Sequence, residues 1–174
     1  MNQPNEQGTI LGHPKGLFVL FFAELWERFC YYGMRALLAL HIAQQFFGGL
    51  GDEAQAAASA SYGGFTALVY ALGIFGGSIA DRLLGYRRSI VLGGLFMAAG
   101  EFTLMVPQKN MFYFGLALLI VGNGLFKPNI STLVGKLYKP GDPRRDGGFT
   151  IFYMGINIGA AIAPVACQAI SAWM

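Results

Sequence analysis

Charge is scarce in this chain. Only 12% of its 174 residues are Asp, Glu, Lys or Arg, while 55% are hydrophobic. A soluble domain carries about 25% charged residues, so a freely soluble globule is excluded and a membrane-embedded chain is expected. Cysteine is scarcer still. Cys30 and Cys167 both fall within apolar runs, supply neither a disulfide framework nor a metal spacing, and are read as small buried packing residues. The sequence has no glycine-rich loop ending in Gly-Lys-Ser/Thr, so nucleotide-driven transport finds no support. It has no His/Cys metal cluster and no nucleophile–base pair on a common site. The first sixteen residues are polar and lack the apolar core and small-residue cleavage site of a secretory signal.

What remains is long apolar runs, with Gly (25) and Phe (15) abundant, as in packed membrane helices. A span needs about 20 residues, and five stretches of that kind recur: Leu17 to Phe47, Ser61 to Ile79, Ser89 to Val106, Met111 to Leu133 and Phe149 to Trp173. The breaks between them are short and rich in turn formers. Residues 54–60, AQAAASA, are expected to start the second helix above the membrane plane. The fold class is therefore an all-α membrane protein of five transmembrane helices. Residues 1–16 are read as a cytoplasmic N-terminus and residues 17–174 as one helical bundle.

The cations are segregated. Lys15, Arg82, Arg87, Arg88, Lys136, Lys139, Arg144 and Arg145 fall on one side of the five spans; the other side holds Lys109 with Asp52 and Glu53. The positive-inside rule places the N-terminus and both basic loops in the cytoplasm. These loops are topology determinants beside anionic lipid, and no nucleic-acid partner is expected.

Six formally charged residues stay within the spans: Glu24, Glu27, Arg28, Arg35, Glu101 and Lys127. A helix turns by about 100° per residue, which puts Glu24, Glu27, Arg28, Tyr31, Tyr32 and Arg35 within one sector of about 140°. Phe22, Trp26 and Phe29 point away from it. Each charge facing lipid costs roughly 2.5–3.5 kcal/mol, and four cost on the order of 10 kcal/mol. The stripe must border protein or a hydrated cavity. Glu24 and Arg28 are spaced to pair as i,i+4, with Glu27 beside them. A carboxylate held between a cation and burial can take up and release protons. Glu101 and His41, toward the outer ends of their spans, are read as interfacial.

Other spans carry supporting residues. Lys127 is followed by Pro128, which removes a backbone donor and frees a carbonyl nearby. Lys127 either snorkels to the cytoplasm or faces the cavity bordered by the first-helix stripe; the proline favours the cavity. Asn123 lies one turn earlier. On the fifth span Tyr153 and Asn157 share a face, and Gly155 and Gly159 form a small-xxx-small pair for close helix approach. Tyr70 sits in an apolar stretch, where core packing and ligand contact both remain open. Asn129-Ile130-Ser131 fits a glycosylation sequon but lies at or below membrane depth, so it is discarded.

The run Glu24-x-x-Glu27-Arg28-Phe29-x-Tyr31-Tyr32-Gly33 resembles the ExxERFxYYG signature of the proton-coupled oligopeptide transporters of the major facilitator superfamily. Phe126-Lys127-Pro128-Asn129 resembles that family's fourth-helix segment, and Phe152-Tyr153-Met154-Gly155-Ile156-Asn157-Ile158-Gly159 its fifth-helix signature. Gly77-x-x-x-Asp81-Arg82-x-x-Gly85-x-Arg87-Arg88 resembles the superfamily's loop between helices two and three, with one more residue between Arg82 and Gly85 than the commonest form. The resemblance covers essentially the whole chain.

It implies proton-coupled symport of di- and tripeptides by alternating access, by a secondary transporter and not an enzyme; the compact N-terminus and short loops point to a bacterial inner membrane. Protons are the coupling ion and no cofactor is expected. By similarity, Glu24, Glu27 and Arg28 serve proton coupling. Arg28, Tyr32 and Lys127 meet the peptide carboxylate, Asn157 the backbone or amino end, and Tyr31, Tyr70 and Tyr153 line the pocket. Arg35 and Asp81 serve gating. The family has two six-helix halves and this chain carries five spans, so the expectation is the N-terminal portion of a transporter, inactive alone, whose C-terminal half is its missing partner. Competing expectations are a relative moving nitrate or another small anion, and a non-transporting scaffold.

Overall fold

The computed structural model describes residues 8–46 and 51–171. Among them run five long helices: α1 (Lys15–Phe46), α2 (Asp52–Ile79), α3 (Tyr86–Leu104), α4 (Lys109–Lys136) and α5 (Arg145–Ser171). The apolar runs read from the sequence thus become helices. α2 begins at Asp52, ahead of the apolar stretch, with Asp52 and Glu53 in its first turn, where carboxylates complement the helix dipole. Three stretches, Gln55–Leu84, Lys109–Lys136 and Arg145–Ile170, are long and apolar enough to cross a membrane by composition alone. The other two of the five expected spans are broken by ionisable residues: Glu24, Glu27, Arg28 and Arg35 in α1, and Arg87, Arg88 and Glu101 in α3.

The chain divides into two compact units, Met1–Leu37 with Val134–Met174, and Leu38–Leu133. In the first, α1 and α5 run in the same direction and touch through glycines. A Cβ on Gly155 would meet the Phe21 ring at 3.0 Å, one on Gly159 would meet Arg28 Cβ at 3.1 Å, and one on Gly33 would meet Cys167 Sγ at 3.0 Å. Lipid tails give helices no hydrophobic reason to associate, so close backbone packing supplies the attraction. Leu17 and Phe152 are fully buried. Cys30 is exposed and Cys167 half-buried. This corrects the expectation that both are buried: Cys30 falls on the outward stripe of α1, one turn beyond the exposed Phe22 and Trp26.

Ahead of α1 stands a small hairpin, β1 (Thr9–Ile10) and β2 (His13–Pro14), paired antiparallel. Its two turn residues, Leu11 and Gly12, both have positive φ (49° and 78°), the geometry that matches strand twist. The hairpin is tied to the α4–α5 connection. His13 Nδ1 lies 2.8 Å from the Tyr138 hydroxyl, and Arg144 Nη1 donates to the Gly12 carbonyl at 2.9 Å. Arg144 is held in turn by a fork onto Asp142, at 3.0 and 2.8 Å. The hydrogen bonds from Arg144 bring the Asp142 carboxyl down to about 2.

In the second unit α3 and α4 run antiparallel on paired glycines. A Cβ on Gly93 would sit 2.7 Å from the Gly122 carbonyl oxygen, and one on Gly100 would sit 2.9 Å from that of Gly115. After α2 the chain makes one wide π turn, Ala80–Leu84, closed by Gly85 N–H donating to the Ala80 carbonyl at 2.8 Å. The additional residue between Arg82 and Gly85 is taken up in this turn, and Gly85, at φ 76°, ends it. Tyr86 donates to Asp81 across the same turn.

Substituting Gly122 by Ala forces a methyl into the α3 backbone and should cost roughly 1–3 kcal/mol, read as a lower melting temperature in detergent. Gly94→Ala is the control. It lies on α3, the helix that Gly122 contacts, with nothing within 4 Å of its Cβ position, and should leave the melting temperature unchanged or raise it slightly.

Candidate functional site

The charged stripe of α1 is turned inward. Glu24, Glu27 and Arg28 are 1%, 9% and 3% exposed, while Phe22 and Trp26 are 63% and 65% exposed. Arg28 sends its guanidinium fork onto both oxygens of Glu27, and its Nε lies 3.3 Å from Glu24 Oε1. The spacing predicts Glu24 as the partner of Arg28. The structure keeps that contact and gives the tighter one to Glu27, because two parallel charge-assisted bonds bind a guanidinium better than one. The Arg28 Cζ also lies 4.9 Å from the centre of the Tyr31 ring, which meets Tyr32 edge-on. Two carboxylates against one guanidinium give the cluster a formal charge of −1, so one bound proton brings it to neutrality.

Further along the same stripe the environment changes. Tyr31 and Tyr32 are half-buried and Arg35 is exposed. On α5, Tyr153 is 50% exposed and stacks on Phe149, and Asn157, one turn on, is exposed. Glu101 is half-buried near the end of α3. His41 lies in α1, but its side chain falls outside the described residues.

The second unit holds Tyr70, Asp81 and Lys127. Lys127 is half-buried, with Nζ 5.2 Å from the centre of the Tyr70 ring, within reach of a cation–π attraction. Both line a cavity of about 160 Å³ with Val69, Gly73, Asn123 and Pro128. Lys127 thus lines a cavity formed by α2 and α4 residues, and Tyr70 contacts a cation there. Ligand pockets run to roughly 300–1,000 Å³, so this cavity is smaller than one, and its residues form a short wall of α2 and α4. Asp81 is exposed at the π turn, bonded by Tyr86.

One residue that sequence reasoning passed over stands beside this wall. Asn129 is 1% exposed, and its Nδ2 donates to the Gly76 carbonyl of α2 at 3.2 Å and the Leu125 carbonyl at 2.7 Å. A sequon reading treats this asparagine as a surface acceptor. The signal that could have found it is a side-chain donor placed directly after an in-helix proline.

Residues 66–174 match the family model described as the POT family. The chain is 49% identical over 162 residues to the uncharacterized transporter YclF of Bacillus subtilis, covering 91% of this chain and 32% of that one. It is 47% identical over 165 residues to dipeptide and tripeptide permease B of Yersinia enterocolitica, again covering 91% and 32%. Among solved structures, a mutant peptide transporter POT in complex with alafosfalin superposes with a TM-score of 0.85 at 49% identity, covering 93% of this chain and 34% of that chain. The chain therefore spans about a third of the length of the relatives it matches.

Removing Arg28 takes the guanidinium from two buried carboxylates, whereas neutralising Glu27 leaves Arg28 its Glu24 contact. Arg28→Leu should therefore cost about 3–5 kcal/mol and Glu27→Gln roughly 1–2 kcal/mol. Thermal melts of the two purified variants check the order.

Proposed function

We propose, because this chain belongs to the POT family, that it forms helices one to five of the N-terminal bundle of a proton-coupled symporter that moves di- and tripeptides by alternating access. The chain is an integral membrane protein. The observation that carries the reading is the buried cluster in which Arg28 is gripped by Glu27 and Glu24. The name of the Yersinia relative, a dipeptide and tripeptide permease, supports peptides as the substrate class over nitrate or another small anion. A secondary transporter of this kind is not an enzyme; it carries no prosthetic cofactor and uses protons as the coupling ion.

In the first unit, Glu27 holds Arg28 while its carboxylate is charged. A proton arriving at the cluster removes half of that attraction, and the Arg28 fork becomes available to the peptide's terminal carboxylate, with Tyr32 as a second donor and Tyr31 as wall. Asn157 offers an amide to the peptide backbone or amino end, and Tyr153 lines the path. In the second unit, Lys127 supplies a carboxylate-binding ammonium and Tyr70 its wall. A zwitterionic peptide presents one fixed anion and one fixed cation whatever its side chains, so cations and tyrosines bind its ends and tolerate its middle. Arg35 and Asp81 serve gating. Arg35 does so with acidic groups of the C-terminal half, whose rocking against this half moves the site from one side of the membrane to the other. The excess of cations in the loops after α2 and α4 supports a cytoplasmic N-terminus in a bacterial inner membrane.

In vesicles holding the full-length protein, Glu27→Gln should abolish uphill dipeptide uptake driven by an inward proton gradient while leaving downhill exchange in place; uphill uptake by that variant would refute the coupling role. Lys127→Ala should weaken dipeptide affinity by roughly tenfold or more, the loss of a charged hydrogen bond, and an unchanged affinity would remove Lys127 from the binding site.

A further inference from the structure

Pro128 leaves a gap in the α4 ladder. Residue 128 would supply the N–H that the Gly124 carbonyl accepts, and proline has none. α2 covers the orphaned oxygen with Gly76, where a Cβ would overlap the Gly124 carbonyl. Only a glycine lets a Cα–H rest on that oxygen. Asn129 then fastens the arrangement from the other side. Its Nδ2 reaches across to the Gly76 carbonyl at 3.2 Å and back to the Leu125 carbonyl at 2.7 Å. Both partners are acceptors, which fixes the amide with its nitrogen toward them.

This fastening sits one or two residues from Lys127 on α4. On α2 it is also in register with the cavity wall, since Tyr70, Gly73 and Gly76 follow one another at three-residue steps along one side of the helix. Tyr70 and Gly73 line the cavity opposite Asn123, Lys127 and Pro128. The position of the Lys127 ammonium over the Tyr70 ring thus depends on how α2 is seated on α4, and the bond that seats it belongs to Asn129.

We propose that Asn129 is a positioning residue for Lys127: its amide clasps α2 to α4 across the break made by Pro128 and holds the ammonium over Tyr70 at the mouth of the cavity. The inference rests on the reading that Lys127 binds the peptide carboxylate. Asparagine suits the position because it is short, always a donor and uncharged. Leucine, of similar size, has no hydrogen to give at any pH.

A double-mutant cycle in the reconstituted full-length protein tests this, with KM for a dipeptide and maximal uptake rate read separately. Asn129→Ala should raise KM roughly tenfold, as expected for a small misplacement of a binding group, with the maximal rate nearly kept. In a Lys127→Ala background it should raise KM no further, because a residue that acts through the lysine has nothing left to position. Asn129→Leu keeps roughly the volume and loses the donor without burying a charge, so it should give the same KM shift and serves if the alanine variant fails to fold. Losses that multiply in the double variant, or a KM that stays at the native value in Asn129→Leu, would overturn the proposal. A native KM in Lys127→Ala alone would instead remove the carboxylate reading of Lys127, and the inference with it.

Discussion

The grip of Glu27 and Glu24 on Arg28 is the constraint around which the first unit is arranged. Moving a charged group out of water costs several kcal/mol even after relaxation, and only a close, well-formed counter-charge offsets it. α1 must therefore turn one stripe inward and give its opposite stripe, Phe22 and Trp26, to the outside. The demand reaches α5 as well. Gly159 lies against the backbone and Cβ at Leu25 and Arg28, and a larger residue would push α5 away from the turn that carries the cluster. The same residues that make α1 a poor membrane helix by composition form its buried charge cluster.

The second unit solves a different problem with backbone alone. Gly93, Gly100, Gly115 and Gly122 bring α3 and α4 to van der Waals contact of main chain with main chain. Gly76 does the same for α2 on α4 at the place where Pro128 has broken the ladder. Such contacts are short and directional, so the helices they join have little freedom to slide. That rigidity holds the Lys127 ammonium at a fixed distance from an aromatic ring and a cavity.

The helices were legible because their signal is bulk composition over 20 or more residues, and the α1 stripe because its ionisable groups follow the 3.6-residue helical period. Lys127 and Tyr70 were legible as candidates by type, and the shared cavity between them came only with the coordinates. The features that escaped depend on single atoms. The hairpin before α1 has two-residue strands, too short for any alternation to register, and it is held by His13 and Arg144 bonding to partners 125 and 132 residues away. The wide turn at Ala80–Leu84 differs from ordinary helix by one hydrogen-bond step. Cys30 was misjudged because an apolar run says nothing of which side faces lipid and which faces protein. Asn129 was hidden by a surface motif that the topology had already made irrelevant.

Binding and protonation are linked in this account through one guanidinium: the fork that Glu27 occupies when charged is the fork the peptide carboxylate needs. The most direct test is the dissociation constant of a dipeptide for the purified full-length protein, measured by calorimetry from pH 8 down to pH 5. Uptake of one proton with each peptide predicts affinity that rises as pH falls, approaching tenfold per pH unit at the steepest point. A dissociation constant that stays flat across that range would contradict the account.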